Sequence, residues 1–322
     1  MGDILVSEAV AGREMDALKS SFDVAYEPEL FKNPRRLKEL LPQYKALIVR
    51  NQTQVNADLL ASAGPNLRVI GRAGVGLDNV DHEAASKAGI VVTFAPEQNS
   101  ISVAELALGL MLSLARMIPA ADRSTKTGGW DRKRFTGTEL FGKTLGVVGL
   151  GRIGFLTAMR ARAFGMDVLV HDTQVNPDAF TVAETRAKLV GLPELLTRSD
   201  FVSVHIPETP ATINLFNDER FALMKPSAFF INTSRGKVVD EDALVRTLRE
   251  KRIAGAGLDV RVKEPPARGA LEEMDNVILT PHVAAFTEEG QDRVVTCVCR
   301  DVAAVLRGEP ARNFFNFAVP RR

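Results

Sequence analysis

From residue 3 to residue 97, short apolar runs alternate with segments whose apolar positions recur at helical spacing. Ile4–Val6, Asp23–Ala25, Ala46–Val49, Val69–Ile70 and Ile90–Thr93 read as strands, and Gly12–Lys19, Glu29–Leu40, Ala57–Ala61 and His82–Ala88 as helices. Strict alternation of this kind predicts a parallel sheet covered by helices on both faces. A long helix follows from Asn99, apolar nearly all round and expected to be buried between two domains, with Ser100 or Ser102 as its cap. The alternation then resumes. Thr144–Val148, Asp167–Val170, Phe201–Val204, Ala228–Ile231, Ile253–Leu258 and Val277–Leu279 read as strands, Asp240–Glu250 and the amphipathic Thr287–Leu306 as helices, and the tail Asn313–Val319 as a returning strand. Two such blocks imply two α/β domains, with the tail crossing back to the first.

The second block opens on a stretch with specific chemistry. The strand Thr144–Val148 runs into Gly149, Gly151 and Gly154 in G-x-G-x-x-G spacing. A helical pattern follows at once, and the next strand leads to Asp172, 18 residues beyond the last glycine. The first glycine suits a tight turn, the second lets backbone N–H groups approach a pyrophosphate, and the third lets helix and strand pack closely. The helix N-terminus then faces phosphates with unpaired donors and partial positive charge. Asp172 is placed to accept hydrogen bonds from ribose hydroxyls and would repel a 2′-phosphate, which favours NAD over NADP. Glycines alone also make ordinary turns; strand, glycines, helix, strand and acid in that order specify a dinucleotide.

Composition narrows the partners. With 322 residues, 45% hydrophobic and 25% charged, the chain has room for two cores of an ordinary soluble protein. A net charge of +1 gives no case for nucleic acid or an anionic membrane surface. Cys297 and Cys299 stand two apart on a predicted helix and face different sides of it, so neither a disulfide framework nor a metal site is expected. No signal peptide or membrane span is read, and a reducing, cytoplasmic compartment fits.

Polar residues gather at the carboxyl ends of the buried strands, where open α/β sheets bind ligands. Arg235, in N-T-S-R-G, follows one such strand and suits bidentate binding of a carboxylate. Glu264 precedes two prolines, Pro265 holding it extended, and His282 follows Pro281. Hydride chemistry on a 2-hydroxy acid needs a cation for the carboxylate, an acid/base for the hydroxyl proton and a carboxylate to orient the imidazole. Arg235, His282 and Glu264 supply one of each, while the nicotinamide takes the hydride. Taken singly, each also reads as an ion pair, a rigid loop or a structural histidine.

Several segments together carry a family resemblance: G-R-A-G-V-G-L-D-N-V-D from Gly71, N-S-I-S-V-A-E-L-A-L-G from Asn99, F-T-G-T-E-L-F-G-K-T-L-G from Phe135, then G-L-G-R-I-G, N-T-S-R-G, D-V-x-x-x-E-P and the P-H pair. The chain resembles the D-isomer-specific 2-hydroxyacid dehydrogenases over nearly its whole length, and within them the 3-phosphoglycerate dehydrogenases. That resemblance implies two Rossmann-like or flavodoxin-like domains, an NAD-binding domain (99–286) inserted into a substrate or lid domain (1–98 plus 287–322), and a homodimer formed through the NAD domain. By the same resemblance, Arg235 binds substrate, His282 is the acid/base and Glu264 its partner. Arg152 and Ile153 would touch the pyrophosphate through backbone N–H groups, and His205, Ile206, Pro207, Thr212, Thr233, Asp259 and Ala284 would line the cofactor site. Gly74, Val75 and Gly76 would offer backbone donors to the substrate carboxylate.

Two departures stand out. After His282 the chain reads V-A-A-F where relatives carry smaller residues, so Phe286 is expected to reshape the pocket. The chain also ends at Arg322, and feedback through a regulatory domain is therefore not expected. Arg50 in V-R-N-Q-T, Arg72 in G-R-A-G, and Arg132, Lys133 and Arg134 are candidates for a second anion site, the last three reaching a neighbouring subunit's cleft; the alternative is solvated surface charge. Such a site would suit a substrate with a distal phosphate or sulfonate, with 3-phosphoglycerate the leading one. The alternatives are a hydroxypyruvate/glyoxylate or sulfolactate-type reductase, or a non-enzymatic NAD-sensing corepressor of the same fold.

Overall fold

Residues 2–321 are described by a computed structural model, in which the chain divides into two units, Met1–Asn99 with Phe286–Arg322, and Ser100–Ala285. Asn99 and Phe286 thus lie in the first unit, each one residue across the boundary expected from sequence. Local contacts account for this: Arg293 Nε donates to the Gln98 carbonyl at 2.9 Å, and the Phe286 ring packs on Arg50.

The first unit is built on a parallel sheet of β1 (Gly2–Val6), β2 (Val24–Tyr26), β3 (Tyr44–Val49), β4 (Val69–Arg72) and β5 (Val91–Thr93), in the order β2-β1-β3-β4-β5. Its strands are apolar on both faces because both faces are covered. Ile4 and Val6 of β1 enter one core with Met15, Val298 and Val302, whereas Leu5 between them enters another with Leu37, Leu59 and Ile70. The helix expected over Glu29–Leu40 is instead a 3₁₀ turn (Leu30–Lys32) and a helix (Pro34–Leu40). Asn33 between them caps the helix by accepting from Arg36 N, and Pro34 fits its first turn, where no N–H is needed.

The tail does not form the expected strand. Only an isolated antiparallel bridge joins Phe314 to Thr93. Asn316 takes over the ladder with its side chain, accepting from Val92 N at 3.0 Å and donating to the Ile90 carbonyl at 2.9 Å. The Phe315 N–H also donates to the Val92 carbonyl at 2.8 Å, so the edge of β5 is closed by a short stretch of backbone together with an amide side chain.

The second unit holds seven parallel strands: β6 (Thr144–Val148), β7 (Asp167–His171), β8 (Lys188–Leu189), β9 (Phe201–Val204), β10 (Phe229–Asn232), β11 (Gly255–Leu258) and β12 (Val277–Leu279). Their order is β12-β11-β10-β9-β6-β7-β8. The chain starts at β6, winds out to one edge through β7, and returns to build the other side from β9. This reversal creates a switch point beside β6. The helix Ser100–Ala115 packs on this sheet, with Ala107, Leu110, Met111 and Leu114 in one core with Leu145, Val147 and Ile231. Ser100 and Ser102 are buried within the helix itself, so neither is its cap. Among the described residues, no single helix is long and apolar enough to cross a membrane.

Candidate active site

Because every strand of the second sheet is parallel, all carboxyl ends reach the same edge. Val148 lies opposite both His171 and Val204, so Gly149, Asp172 and His205 leave the sheet side by side. Asn232 lies opposite Val204 and Leu258, and Leu258 opposite Leu279, which brings Thr233, Asp259 and Thr280 to that edge as well.

The glycine loop is shaped by contact. Gly149 sits at φ 95°, and a Cβ there would come within 2.6 Å of the His205 carbonyl oxygen. A Cβ on Gly154 would lie 1.9 Å from the Gly149 carbonyl oxygen, so helix and loop touch backbone to backbone. Space around Gly151 is open to 4 Å. Gly151 is the N-cap of the helix Arg152–Ala163 and supplies no capping side chain, so the helix start is left to a ligand. Asp172 also shapes this loop: its carboxylate accepts from Leu150 N at 2.8 Å, Gln174 N at 2.8 Å and Val175 N at 3.1 Å. Ribose hydroxyls would share a carboxylate already oriented by three backbone donors.

Two polar atoms at this edge are buried without a partner: His205 Nδ1 and Thr233 Oγ1. His205 Nε2 lies 2.9 Å from Ser203 Oγ, and burial pushes the imidazole down to about 3, so it is neutral. Buried polar groups left unpaired are costly unless something binds them. Their position beside the open glycine loop fits a dinucleotide. Ile206 packs its Cγ2 toward Gly149. Thr212 behaves differently from the expectation, since its hydroxyl donates to the Pro207 carbonyl at 2.7 Å and accepts from Thr209 N at 2.8 Å, closing its own loop. The Ala284 N–H is likewise engaged, donating to Asp259 at 2.9 Å.

His282 Nδ1 lies 2.7 Å from Glu264 Oε2. A carboxylate only accepts, so this bond puts a proton on Nδ1 and leaves Nε2 of the neutral ring as the acceptor. The hydrogen bond to Glu264 raises the His282 pKa above its usual value, and burial takes back part of the rise. Burial pulls the Glu264 pKa upward, but His282 and the Arg261 N–H outweigh it and hold the carboxyl below the usual range. The charge of Arg235 acts on both members of the pair. The Arg235 Nη1 donates to the Ser234 carbonyl at 2.8 Å, and Asn232 Nδ2 holds the Arg235 carbonyl at 2.9 Å. The Glu264–Pro265 peptide bond is cis.

Sequence reasoning assigned Asp259 to the cofactor lining and missed what its carboxylate does. Asp259, 1% exposed, accepts from Thr280 Oγ1 at 2.6 Å, Val283 N at 2.9 Å and Ala284 N at 2.9 Å. Its carbonyl accepts from His282 N at 2.8 Å. His282 is thereby held at φ 54°, a left-handed conformation that a side chain adopts only under constraint. Arg261, also unforeseen, ties the Glu264 segment down by pairing with Glu241 at 3.0 Å and with Glu272 at 2.5 Å. An acid directly after a buried strand was the signal for Asp259; nothing local pointed to Arg261.

In the first unit, Arg50 follows β3, Arg72 ends β4 and Gly74–Gly76 follow it. Two buried side chains pin the Arg50 segment. Glu8, 3% exposed, accepts from Arg50 N, Gln52 N and Thr53 N at 2.8–3.0 Å, and Asn79 Nδ2 donates to the Arg50 and Thr53 carbonyls at 2.8 and 2.7 Å. Gly74 N donates to the Arg72 carbonyl at 2.8 Å, so the donor expected from Gly74 is engaged within its own loop. Arg132, Lys133 and Arg134 are exposed, Arg134 stacking on Phe135. Among the described residues, no group of His, Cys, Asp and Glu is placed to hold a metal ion.

A doubly wound parallel sheet with an open glycine loop and an acid after its second strand defines a dinucleotide-binding domain, here with a His–Glu pair on the same edge. The chain belongs to the D-isomer specific 2-hydroxyacid dehydrogenase family: residues 108–284 match the model of that family's NAD-binding domain. It is 44% identical over 316 residues to D-3-phosphoglycerate dehydrogenase of Synechocystis sp., covering 98% of this chain and 56% of that protein. To D-3-phosphoglycerate dehydrogenase of Methanocaldococcus jannaschii it is 49% identical over 284 residues, 87% of this chain and 53% of the other. The chain thus spans about half the length of the curated relatives it matches. Among solved structures, D-lactate dehydrogenase from Aquifex aeolicus, complexed with NAD and lactic acid, is similar at 30% identity with a TM-score of 0.84, covering 97% of this chain and 98% of that one.

Proposed function

We propose that this chain oxidises D-3-phosphoglycerate to 3-phosphohydroxypyruvate with NAD. The observation that carries the reaction type is the 2.7 Å His282–Glu264 pair facing the charge of Arg235. Bound NAD supplies the hydride acceptor. Neutral His282 accepts the C2 hydroxyl proton on Nε2 as the C2 hydride departs and the C2–O bond becomes a carbonyl. Glu264 stabilises the imidazolium through Nδ1. Arg235 pairs with the substrate carboxylate and polarises the C2 oxygen. In the reductive direction the same imidazolium returns the proton. The substrate is supported by the curated relatives at 44% and 49% identity, named D-3-phosphoglycerate dehydrogenase, and Arg50 and Arg72 are assigned its distal phosphate.

NAD reduction is measured with D-3-phosphoglycerate beside D-glycerate, D-lactate and sulfolactate. A kcat/KM at least about tenfold higher with the phosphate than with the uncharged-tail acids is expected, the size of one good ionic contact. Preference for D-glycerate or D-lactate overturns the substrate assignment and leaves a general 2-hydroxyacid dehydrogenase.

Assembly as a cytoplasmic homodimer through the second unit is part of the same proposal. That unit leaves Ile118 50%, Trp130 80% and Phe141 75% exposed, more large apolar surface than a solvated monomer favours. A cavity of about 860 Å³, walled partly by Leu114, Met117, Phe135 and Phe229, lies at the sheet's amino edge. Light scattering is expected to give twice the chain mass, and a monomer at micromolar concentration overturns the assembly.

A further inference from the structure

Arg50 is a cation held entirely by neutral partners. Its Nη1 donates to the Ala9 carbonyl at 3.2 Å, its Nη2 donates to Gln291 Oε1, and its guanidinium carbon stands 5.1 Å from the centroid of the Phe286 ring. The adjacent carboxylate, Glu8, is spent on backbone N–H groups. Among the described residues, no carboxylate pairs with the Arg50 guanidinium. Two of the five guanidinium N–H donors are engaged, so the remainder are left for a ligand, while Glu8 acts on the charge without bonding to it. Phe286 lies against the guanidinium while staying 55% exposed. An aromatic ring left in water is an unfavourable way to fill surface, but it is well placed to orient a cation, since ring and guanidinium attract face to face.

We propose that Phe286 is a positioning residue, and that with Gln291 and the Ala9 carbonyl it locks the Arg50 guanidinium as a receptor for the distal anion of the substrate. The proposal rests on the assignment of Arg50 to that anion. It also accounts for the large side chain in the V-A-A-F segment, because a smaller residue at 286 would leave the guanidinium free to rotate, and binding would have to order it. The effect falls on anion affinity and not on the chemical step, because Phe286 acts through Arg50, which takes no part in the proton transfer.

The test uses the NAD-loaded protein with Phe286→Ser, which removes the ring, Phe286→Tyr, which keeps it, and Arg50→Gln. In turnover, Phe286→Ser is expected to raise KM for D-3-phosphoglycerate about fivefold with kcat little changed, the size of one exposed cation–ring contact. The ratio of kcat/KM between phosphoglycerate and D-lactate should fall by the same factor, and Phe286→Tyr should restore it. Equal losses on both substrates, or a loss in kcat alone, overturn the proposal by making Phe286 a general wall. Calorimetric binding of inorganic phosphate keeps the two readings apart. Binding that is lost in Arg50→Gln, weakened about fivefold in Phe286→Ser and kept in Phe286→Tyr supports the clamp even if phosphoglycerate is not turned over, which would overturn only the substrate assignment. Failure of the wild type to bind phosphate, or equal binding by wild type and Phe286→Ser, overturns the clamp itself.

Discussion

At the residue scale, the proposed chemistry turns on one imidazole whose two nitrogens have different neighbours. Oxidation needs neutral His282, and Glu264 raises its pKa, so activity in that direction should rise with pH along a limb above the usual histidine value of 6.5. Reduction needs the protonated ring and should persist to the same raised pKa. Glu264→Gln removes the charge that stabilises the imidazolium, so the limb is expected to move to lower pH while kcat falls; a pH profile of kcat/KM with an unmoved limb would show that the pair does not set the proton transfer. His282→Ala should bind NAD as the wild type does and lose roughly a hundredfold or more in kcat, the scale of general acid–base catalysis. Residue types at strand ends made Arg235, Glu264 and His282 legible from sequence. The unpaired state of His205 Nδ1 and Thr233 Oγ1 was not, because it depends on which neighbours fail to arrive. The two thiols are inert by burial, which pushes Cys297 up to about 11 and Cys299 up to about 12.

At the scale of elements, positions were readable and boundaries were decided by side-chain hydrogen bonds. The period of apolar residues located the strands of both sheets except the two-residue β8, but Asn33 and Pro34 split a predicted helix, and the strand predicted for the tail is reduced to a single bridge beside the Asn316 side chain. The glycine loop is the element on which cofactor binding depends. In Gly154→Ala the new methyl would meet the Gly149 carbonyl oxygen at 1.9 Å, backbone against backbone, so the loop must shift at a cost of about 1–3 kcal/mol. A fluorescence titration should show NAD affinity reduced about tenfold or more in a folded protein, and wild-type affinity would mean that the loop is not the phosphate site. Asp259→Asn tests the other loop. An amide cannot accept from Thr280, Val283 and Ala284 at once as the carboxylate does, so kcat should fall about tenfold or more with the His282–Glu264 pair chemically intact. Unchanged kcat would remove Asp259 from the positioning of His282.

At the scale of the molecule, a chain that leaves its first unit at Asn99 and rejoins it at Phe286 places anion-binding candidates and proton chemistry in separately packed bodies. Saturating NAD, at about a hundred times its Kd, should stabilise the unit that binds it by about 2.7 kcal/mol. Hydrogen exchange is therefore expected to slow at the carboxyl ends of β6, β7, β9 and β10, and to change least in β1–β3. Equal slowing across both sheets would show that the two units respond to NAD as one.

The sequence by itself determined what is written in local order: two parallel sheets from the alternation of apolar runs, a dinucleotide loop from three spaced glycines, and the residue types of a hydride-transfer site. These follow from constraints acting over a few residues, such as helical period, the left-handed backbone of Gly149 and the fixed φ of proline. Tertiary structure alone decided how each polar group is used. Gly149, Asp172, His205, Arg235, Glu264 and His282 lie far apart in the chain and meet because parallel pairing brings every strand's carboxyl end to one edge. Which carboxylates remain for ligands is settled only there: Glu8 and Asp259 are consumed by backbone donors, Glu264 is turned to His282, and Arg50 is left with neutral hydrogen-bond partners. A hydrogen bond is satisfied by whatever is nearest in space, and nearness across tens of residues is a property of the packed chain.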